Sequence, residues 1–353
     1  MINIKILLID FKHDGNGVFY DNAKEMIDIF SEIGDVTYLT KTPKINKDLD
    51  RNDIKIFVLK SINEKIDFIK SNIKKYDKAI FLTQSIFDFM FFPCFSENIY
   101  LWHNPKQHPK SFSIKRFIGK ISFYIYDFFM LLFSNSIILA SKNIEIPYFF
   151  NFFRQKFVYI PLPTLNKSYP SNKKYNNLKK KYEILFFGTI VKYKGLDYLI
   201  SELELISKKM NVAIIGKGEI EKEFPGLLEK IRNSKHEIDF INRYISNKEL
   251  ASFISNSKVV TFPYKFANGT QTIQLCYKYN VPVITSKKGA LEDYVKDNIT
   301  GIKIDLNKGE LKKSLNDILN NYDSYIKKLI KSDFTKKFEK TEMIKNYKKV
   351  LNN

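Results

Sequence analysis

The stretch "EILFFGTIVKYKGLDYLI", residues 183–200, passes from a strand through a glycine loop into a helix. Its apolar run "EILFF" lacks the alternation of a half-exposed strand, which is typical of a parallel strand buried on both faces. Gly188 ends this run, and the amphipathic segment that begins at Gly195 has helical periodicity. The stretch therefore predicts a strand-loop-helix unit of a parallel α/β sheet.

The same alternation extends over the whole chain. Strand candidates in the first half are "IKILLID", "VTYLT", "IKIFVL", "AIFLT", "NIYLW" and "SIILA". In the second half they are "EILFF", "NVAII", "EIDFI", "KVVTF", "VPVI" and "GIKI". Amphipathic segments such as residues 20–34 and 195–210 lie between them. This order predicts an α/β protein with two doubly wound, Rossmann-like domains.

A change of composition marks the domain boundary. Residues 162–182 are polar, basic and proline-containing, and we interpret them as the connector between the domains. The expected domains are residues 1–162 and residues 163–332. The last segment, residues 333–353, has helical periodicity after an N-cap signal at Ser332 or Asp333, and we expect this tail helix to pack back on the N-terminal domain.

Length and composition narrow the class of protein. With 353 residues, 44% of them apolar and 15% aromatic, the chain can form two cores and is not of a disordered class. Its two cysteines, Cys94 and Cys276, lie in apolar contexts, which favours a reducing compartment over a disulfide framework or a zinc site.

Two segments bear on localisation. The first ten residues read as a strand rather than a secretory signal. Residues 120–141 contain an uncharged run of only 14 residues, whereas a membrane span needs about 20. We therefore expect a cytoplasmic protein in which residues 120–141 form a buried or surface-docking helix followed by a strand.

The charge is strongly positive. There are 58 basic and 38 acidic residues, a net charge of +20. Such a field attracts nucleic acid, anionic lipid or phosphorylated small molecules, although lysine-rich coding drift is an alternative source. Because RNA-binding motifs are absent from the sequence, we expect no nucleic-acid partner.

Glycines follow two strands at the edge where open parallel sheets bind ligands. Gly15 and Gly17 follow the first strand and open a helix, and Gly216 and Gly218 follow "NVAII". Glycines in these places let a phosphate approach backbone N–H groups at a helix start. An ordinary turn is the alternative interpretation.

A basic side chain accompanies the glycine of the opening stretch. Lys194, six residues after Gly188, can reach a phosphate oxygen at the helix end, a charge-assisted contact of roughly 1.5–3 kcal/mol, unless it is simply solvated. Asn268 to Thr272 supply backbone N–H groups and hydroxyls before a helix predicted at Gln271–Tyr279. That is chemistry for a diphosphate.

Two further loops complete the set. Asn242, Arg243 and Tyr244 follow "EIDFI", where backbone groups can read a nucleobase edge and Tyr244 can stack on it; surface packing is the alternative for Tyr244. The loop in "KKGALEDYV" ends in Glu292 and Asp293.

The order of these pieces resembles a known family. "FFG…YKGLDYLI", "AIIGKGE", "NRYIS…ELASFISNSKVVTFPY" and "PVITSKKGALEDYV…TGIKI" resemble the C-terminal domain of family 4 retaining glycosyltransferases of GT-B fold, over about residues 183–305. In the N-terminal half, "YLWHNPKQHPK" and "SIILASKN" are similar to that family's post-strand histidine segment and a later strand-serine element. The resemblance implies two domains facing a central cleft. A UDP- or GDP-linked nucleotide sugar would bind there, with no metal or other cofactor.

The resemblance also implies a basic pair at the diphosphate. Lys194 matches the family's lysine, but Thr189 stands where the family has arginine. Lys192 or Lys265 is the candidate substitute for the missing charge.

The family's Glu-x7-Glu acids are absent. Their positions are Ala267 and Leu275, which implies a subgroup whose donor hydroxyl and ribose contacts differ, while Asp293 matches an acid of a later family segment. The candidate donor-binding residues are Gly15, Gly17, Gly188, Thr189, Lys194, Gly216, Gly218, Arg243, Tyr244, Asn268, Gly269, Thr270, Gln271, Thr272 and Asp293.

Two histidines follow the strand "NIYLW". The resemblance places His103 and His108 on the cleft face of the N-terminal domain, where His103 can contact the donor hexose or the acceptor. Capping of the strand end is the alternative for His103; a metal site is also possible, but no third ligand is suggested and acidic or soft ligands are absent nearby. His103 and Lys194 are therefore the candidate catalytic residues.

Residues 105–133 combine basic and aromatic side chains. Five basic residues precede an apolar helix, which suits a surface that rests on an anionic membrane; a core helix with a solvated start is the alternative. The basic residues are Lys106, Lys110, Lys115, Arg116 and Lys120.

The resemblance predicts a retaining, metal-independent glycosyltransferase that acts on a lipid-linked or cell-surface glycan such as a capsule, O-antigen or lipopolysaccharide intermediate. Two rivals remain: a nucleotide-sugar epimerase of GT-B fold, and a non-catalytic basic binding module on a degenerate fold. The missing glutamates favour the binding module, whereas the intact glycines and Lys194 oppose it.

Overall fold

A computed structural model describes residues 4–12, 17–49, 53–83, 85, 88, 90–91, 94–95, 97–103, 114–174 and 180–352. The chain divides into two compact units. Unit 1 comprises Met1–Lys167 with Phe338–Asn353, and unit 2 comprises Ser168–Lys337. The unit boundaries, after residues 167 and 337, each lie a few residues beyond the boundaries expected from the sequence, after residues 162 and 332.

Unit 1 contains a seven-stranded parallel sheet of order β3-β2-β1-β4-β5-β6-β7. Its strands are β1 Lys5–Asp10, β2 Asp35–Thr40, β3 Lys55–Val58, β4 Lys78–Phe81, β5 Asn98–Leu101, β6 Ser136–Leu139 and β7 Phe157–Tyr159. The six strand predictions for this half are confirmed. The sequence pattern missed β7 because it has only three residues, all half-buried, and therefore carries little periodicity.

The helices of unit 1 lie between these strands. They are α1 Gly17–Phe30, α2 Lys44–Asp48, α3 Ile62–Asn72 and α4 Ile114–Phe133, with a long 3₁₀ segment at Tyr148–Lys156. Helix α4 followed by β6 confirms the prediction of a helix and then a strand for residues 120–141. Within the described ranges, no helix combines the length and apolarity needed to cross a membrane.

Unit 2 contains a six-stranded parallel sheet of order β10-β9-β8-β11-β12-β13. Its strands are β8 Tyr182–Phe187, β9 Asn211–Ile215, β10 Glu237–Ile241, β11 Ser257–Phe262, β12 Val283–Ser286 and β13 Gly301–Ile304. All six were predicted. Only β12 differs from its predicted position, "VPVI" at residues 281–284. The strand begins after Pro282, because proline lacks the N–H group that the hydrogen-bond ladder of a sheet needs.

The helices of unit 2 cover this sheet. They are α5 Leu196–Glu204, α6 Ile220–Glu223, α7 Leu227–Arg232, α8 Asn247–Ser255, α9 Thr272–Lys278, α10 Leu291–Tyr294, α11 Glu310–Asn320 and α12 Tyr322–Lys331. Helix α8 begins with a capping box, in which the Ser246 hydroxyl accepts from the Glu249 N–H and the Glu249 carboxylate accepts from the Ser246 N–H.

The C-terminal segment returns to unit 1. Helix α13, Lys340–Leu351, buries Met343 and Tyr347 in the same core as α1, and the ring centroids of Phe30 and Tyr347 are 4.8 Å apart. The predicted N-cap was wrong: residues 333–338 form a 3₁₀ turn, and Glu339 occupies the N-cap position. The Ser332 hydroxyl instead accepts a hydrogen bond from the Phe334 N–H within that turn.

Candidate anion-binding site

Two glycines bring the ends of β8 and β9 together. Gly188 has φ +116° and donates its N–H to the Ile215 carbonyl at 3.0 Å. Gly216 has φ +145°, and a Cβ on it would lie 1.8 Å from the Gly188 carbonyl oxygen. Gly216 accepts no side chain because a Cβ there would collide with backbone, and a Cβ on Gly188 would instead collide with the side chain of Lys194.

Gly218 is held in a similar way. A Cβ on it would lie 2.4 Å from the Ile190 carbonyl oxygen. The Asn242 side chain accepts from the Gly218 N–H at 2.9 Å and donates to its carbonyl at 3.0 Å. The close approach predicted at Gly216 and Gly218 is therefore made by protein backbone and by the Asn242 amide.

Lys194 lies beside Gly188. The lysine is half-buried, its Nζ stands 2.5 Å from where a Gly188 Cβ would be, and it lies 5.1 Å from the centre of the Tyr264 ring. Among the described residues, no carboxylate oxygen lies within ion-pair distance of this Nζ. Burial lowers the pKa of Lys194 to about 8. A buried cation without a counter-ion is costly, so this position is suited to an anionic ligand.

The two proposed substitutes for the missing arginine differ from Lys194. Lys265 forms an ion pair with Asp197 at 2.6 Å, so its charge is already countered. Lys192 is exposed, as is Thr189 at the arginine position itself. Lys194 is therefore the better placed of the three lysines to neutralise a bound anion.

The predicted loop before α9 is compact. Asn268 and Gln271 are buried, whereas Gly269 is exposed. The hydroxyls of Thr270 and Thr272 are 2.6 Å apart, and the Thr272 N–H donates to the Thr270 hydroxyl at 3.2 Å. One of the helix's first N–H groups is thus already satisfied, and the two hydroxyls are hydrogen-bonded to each other.

Tyr264 links Lys194 to this loop, and sequence analysis did not identify it. Burial raises the pKa of Tyr264 far above its usual value. An aromatic residue directly after "VVTFP" was the available signal, but only the structure places its ring under the lysine.

The positions of the missing glutamates are in the core. Ala267 and Leu275 are both buried, and the Ala267 carbonyl accepts from the Ala290 N–H at 3.1 Å. A Cβ on Gly289 would lie 2.0 Å from the same carbonyl oxygen. A carboxylate in place of Leu275 would be buried, which is costly unless it is paired.

The remaining predicted residues of unit 2 lie further out. Arg243 forms an ion pair with Glu249 at 2.7 Å, and Tyr244 is 66% exposed. They follow β10, two strands away from β8 in the sheet. Asp293 is half-buried in α10, and its backbone carbonyl accepts from the Lys337 ammonium.

His103 lies in unit 1. Its Nε2–H donates to the Leu82 carbonyl at 2.8 Å, at the end of β4, and its ring contacts Phe19 edge-on at 5.8 Å. Burial lowers the pKa of His103 to about 4, and the charge of Lys12 acts in the same direction. The hydrogen bond to Leu82 raises the pKa by a smaller amount. The imidazole is therefore neutral at pH 7, with Nδ1 as its lone-pair acceptor.

Gly17 begins α1, whereas Gly15 and His108 lie outside the described residues. Within the described ranges, no group of three or more His, Cys, Asp or Glu residues is arranged to hold a metal ion.

A buried polar network beside His103 was also missed in the sequence. The Asp10 carboxylate accepts from Thr83 at 2.7 Å and from the Tyr38 hydroxyl at 3.1 Å. Burial lowers the pKa of the nearby Lys12, although Asp10, Asp127 and Asp88 raise it. A single aspartate at the end of β1 gave no signal for this network, because its partners come from other strands.

Solved structures share this fold. The structure of Anabaena Alr3699/HepE in complex with UDP and glucose is 14% identical, with 99% of this chain and 100% of that chain aligned and a TM-score of 0.69. Sucrose-phosphate synthase from Thermosynechococcus elongatus is 15% identical, with 99% and 98% aligned and a TM-score of 0.71. The two parallel-sheet units of this chain therefore have the GT-B fold of glycosyltransferases.

The sequence comparisons find similarity in unit 2. Residues 169–333, somewhat less than half of the chain, match the family described as "Glycosyl transferases group 1", so this part of the chain is similar to domains of that group. A relative described as "Uncharacterized 41.2 kDa protein in cps region" of Klebsiella pneumoniae is 25% identical over 177 residues. That match covers 48% of this chain and 46% of the relative, less than half of its length.

Proposed function

We propose that the protein is a retaining glycosyltransferase that uses a nucleotide diphosphate sugar, UDP- or GDP-linked. The observation that carries this proposal is Lys194, a half-buried ammonium group without a carboxylate partner among the described residues, beside a glycine at the end of β8. The family match of residues 169–333 and the UDP bound in a structural neighbour support the same ligand class.

In this proposal, Lys194 stabilises the departing diphosphate. Negative charge grows on the β-phosphate as the sugar-phosphate bond breaks, and a fixed ammonium group in a water-poor site lowers the energy of that state. The hydroxyls of Thr270 and Thr272 donate to other phosphate oxygens. The contact of Lys194 is worth roughly 1.5–3 kcal/mol, which is about 10- to 150-fold in affinity or turnover.

The remaining predicted residues have secondary roles in the proposal. Tyr244, being exposed, stacks on the nucleobase. His103, neutral at pH 7, accepts a hydrogen bond at Nδ1 from a sugar hydroxyl of the donor or acceptor. No metal ion is required, so turnover should be unchanged by a chelator.

The acceptor is proposed to be a hydroxyl on a lipid-linked or cell-surface polysaccharide intermediate, of the capsule, O-antigen or lipopolysaccharide type. Similarity to a protein from a cps region supports this class. The enzyme would act at the cytoplasmic face of a membrane, where lipid-linked acceptors are held.

A thermal-shift series tests the proposal. The purified chain is mixed with UDP, GDP, ADP or dTDP, and the series is repeated with Lys194→Ala and with Lys192→Ala, an exposed lysine of the same turn, as control. We expect a saturable rise in Tm with one nucleotide, lost in Lys194→Ala and kept in Lys192→Ala. No shift with any nucleotide would instead support the non-catalytic binding module.

A second assay separates transfer from epimerisation. The nucleotide that shifts Tm is supplied as its sugar conjugates, and the products are examined by mass spectrometry and NMR. Transfer releases the nucleoside diphosphate and forms a glycoside with the donor's anomeric configuration. Interconversion of the sugar without acceptor would contradict the transferase proposal.

A further inference from the structure

Helix α4 includes Lys115, Arg116 and Lys120, which were expected to precede the apolar helix. Its second half, residues 123–133, is apolar apart from Asp127, yet only one side of this half is covered. Tyr126, Met130 and Leu131 face the core of unit 1, and Asp127 is buried with the Tyr100 hydroxyl 3.3 Å from its carboxylate. The opposite side is exposed and consists of Ile125, Phe128, Phe129, Leu132 and Phe133. A helix that is hydrophobic all round is normally buried on all sides.

A second segment extends this exposed side. In the 3₁₀ segment Tyr148–Lys156, the side chains of Tyr148, Phe149 and Phe152 are exposed, Tyr148 by 90%. The ring centroids of Tyr124 and Phe149 are 5.6 Å apart. The helix and the 3₁₀ segment therefore form one aromatic surface.

This aromatic surface concentrates the exposed apolar side chains of the described chain. Of the twelve large hydrophobic residues that are exposed among the described residues, eight belong to it. Single exposed apolar residues are ordinary, whereas a contiguous patch of this kind marks a docking site.

The exposed charges within the two segments of this surface are basic. Arg154 is exposed. The Nζ of Lys156 lies 5.7 Å from the centre of the Phe153 ring and donates hydrogen bonds to the carbonyls of Leu131 and Leu132, near the end of α4. In residues 123–133 and 148–156 the only acid is the buried Asp127. Two copies of such a face would bring like charges together in a chain of net charge +20, which disfavours self-association.

We propose that this aromatic surface docks on a membrane containing anionic phospholipid. Phenylalanine and tyrosine side chains enter the boundary between headgroups and acyl chains, and the flanking basic residues neutralise headgroup phosphate. This inference rests on the proposed function and deepens it: a lipid-linked acceptor would be presented at the same membrane boundary on which the surface docks.

Vesicle flotation tests this inference without nucleotide or acceptor, so its outcome is independent of donor binding. The full chain is mixed with vesicles of phosphatidylcholine alone or of phosphatidylcholine with phosphatidylglycerol. We expect the wild type to partition at least tenfold more strongly onto the anionic vesicles than onto phosphatidylcholine alone. In Tyr148→Ser/Phe152→Ser, partitioning onto the anionic vesicles should fall tenfold relative to the wild type. The matched control, Ile62→Ser/Ile330→Ser, also removes two exposed apolar residues but lies outside the surface and should bind as wild type.

Three results would overturn the inference. The wild type fails to float with anionic vesicles at physiological salt; or the control pair loses as much binding as the surface pair; or sedimentation velocity shows a dimer that only Tyr148→Ser/Phe152→Ser dissociates, which would assign the surface to a second copy. All replaced side chains are exposed, so equal melting temperatures of the variants will exclude unfolding as the cause.

Discussion

The ammonium group of Lys194 lies in the space that a side chain on Gly188 would fill, 2.5 Å from the position of its Cβ. The glycine and the lysine are therefore one structural unit: the absence of a side chain at the end of β8 makes room for a cation six residues later. The chain reaches this arrangement through the 3₁₀ turn Lys192–Lys194, which ends at Gly195 with a φ of +72°.

The pH dependence of nucleotide affinity tests the state of Lys194. Because burial lowers its pKa to about 8, the free protein loses this charge above pH 8, while the nucleotide's phosphate is fully ionised throughout. We expect the affinity to fall by up to tenfold per pH unit between pH 8 and pH 9.5, as measured by isothermal titration. In Lys194→Met the affinity should be low and nearly constant over this range; an equally steep decline in that variant would assign the titration to another group.

Substitution of Gly216 should destabilise unit 2. Gly216→Ala forces a Cβ against the Gly188 carbonyl oxygen at a φ of +145°, and we expect a loss of at least about 2 kcal/mol in the free energy of unfolding. Gly226→Ala is the matched control, because Gly226 also has positive φ but no atom within 4 Å of the added Cβ, and should cost only about 1 kcal/mol. Urea denaturation of the two variants measures the difference, and equal losses would show that steric contact at Gly216 is not the cause.

Acid sensitivity of unit 1 should depend on His103. Its pKa is about 4 in the folded protein against 6.5 in an unfolded chain, so the unfolded state binds more protons between these values. The stability that neutral His103 contributes is present above pH 6.5 and is lost as pH falls toward 4, by up to about 3 kcal/mol. His103→Gln keeps a donor for the Leu82 carbonyl and should flatten this part of the pH–stability curve; a curve identical to that of wild type would contradict the assignment.

The tail helix should be required for the stability of unit 1. Met343 is fully buried in the core beside α1, so Met343→Ala should cost about 2–5 kcal/mol. The control Lys348→Ala changes an exposed residue of the same helix and should stay within about 0.5 kcal/mol of wild type. Denaturant midpoints of unit 1, followed by fluorescence of Trp102, distinguish the two.

Much of the fold could be predicted because its signals are local. A continuous β-rich run between amphipathic segments identifies a strand wherever it occurs, and twelve of the thirteen strands in the described residues were found this way. The start of α13 could not be predicted, since Ser332 and Asp333 carry a valid cap signal. The structure uses these residues for a 3₁₀ turn before the helix begins at Lys340.

The sequence by itself determined the order of strands and helices, the resemblance to a glycosyltransferase domain and the identity of Lys194 as a candidate ligand of phosphate. Only the tertiary structure decided that Lys265 already has a counter-ion, that the ring of Tyr264 lies under Lys194, and that one side of residues 123–133 in α4 is exposed. The physical reason is range. Periodicity and caps act within a few residues, whereas ion pairs, ring contacts and burial depend on which distant elements the parallel sheets bring together.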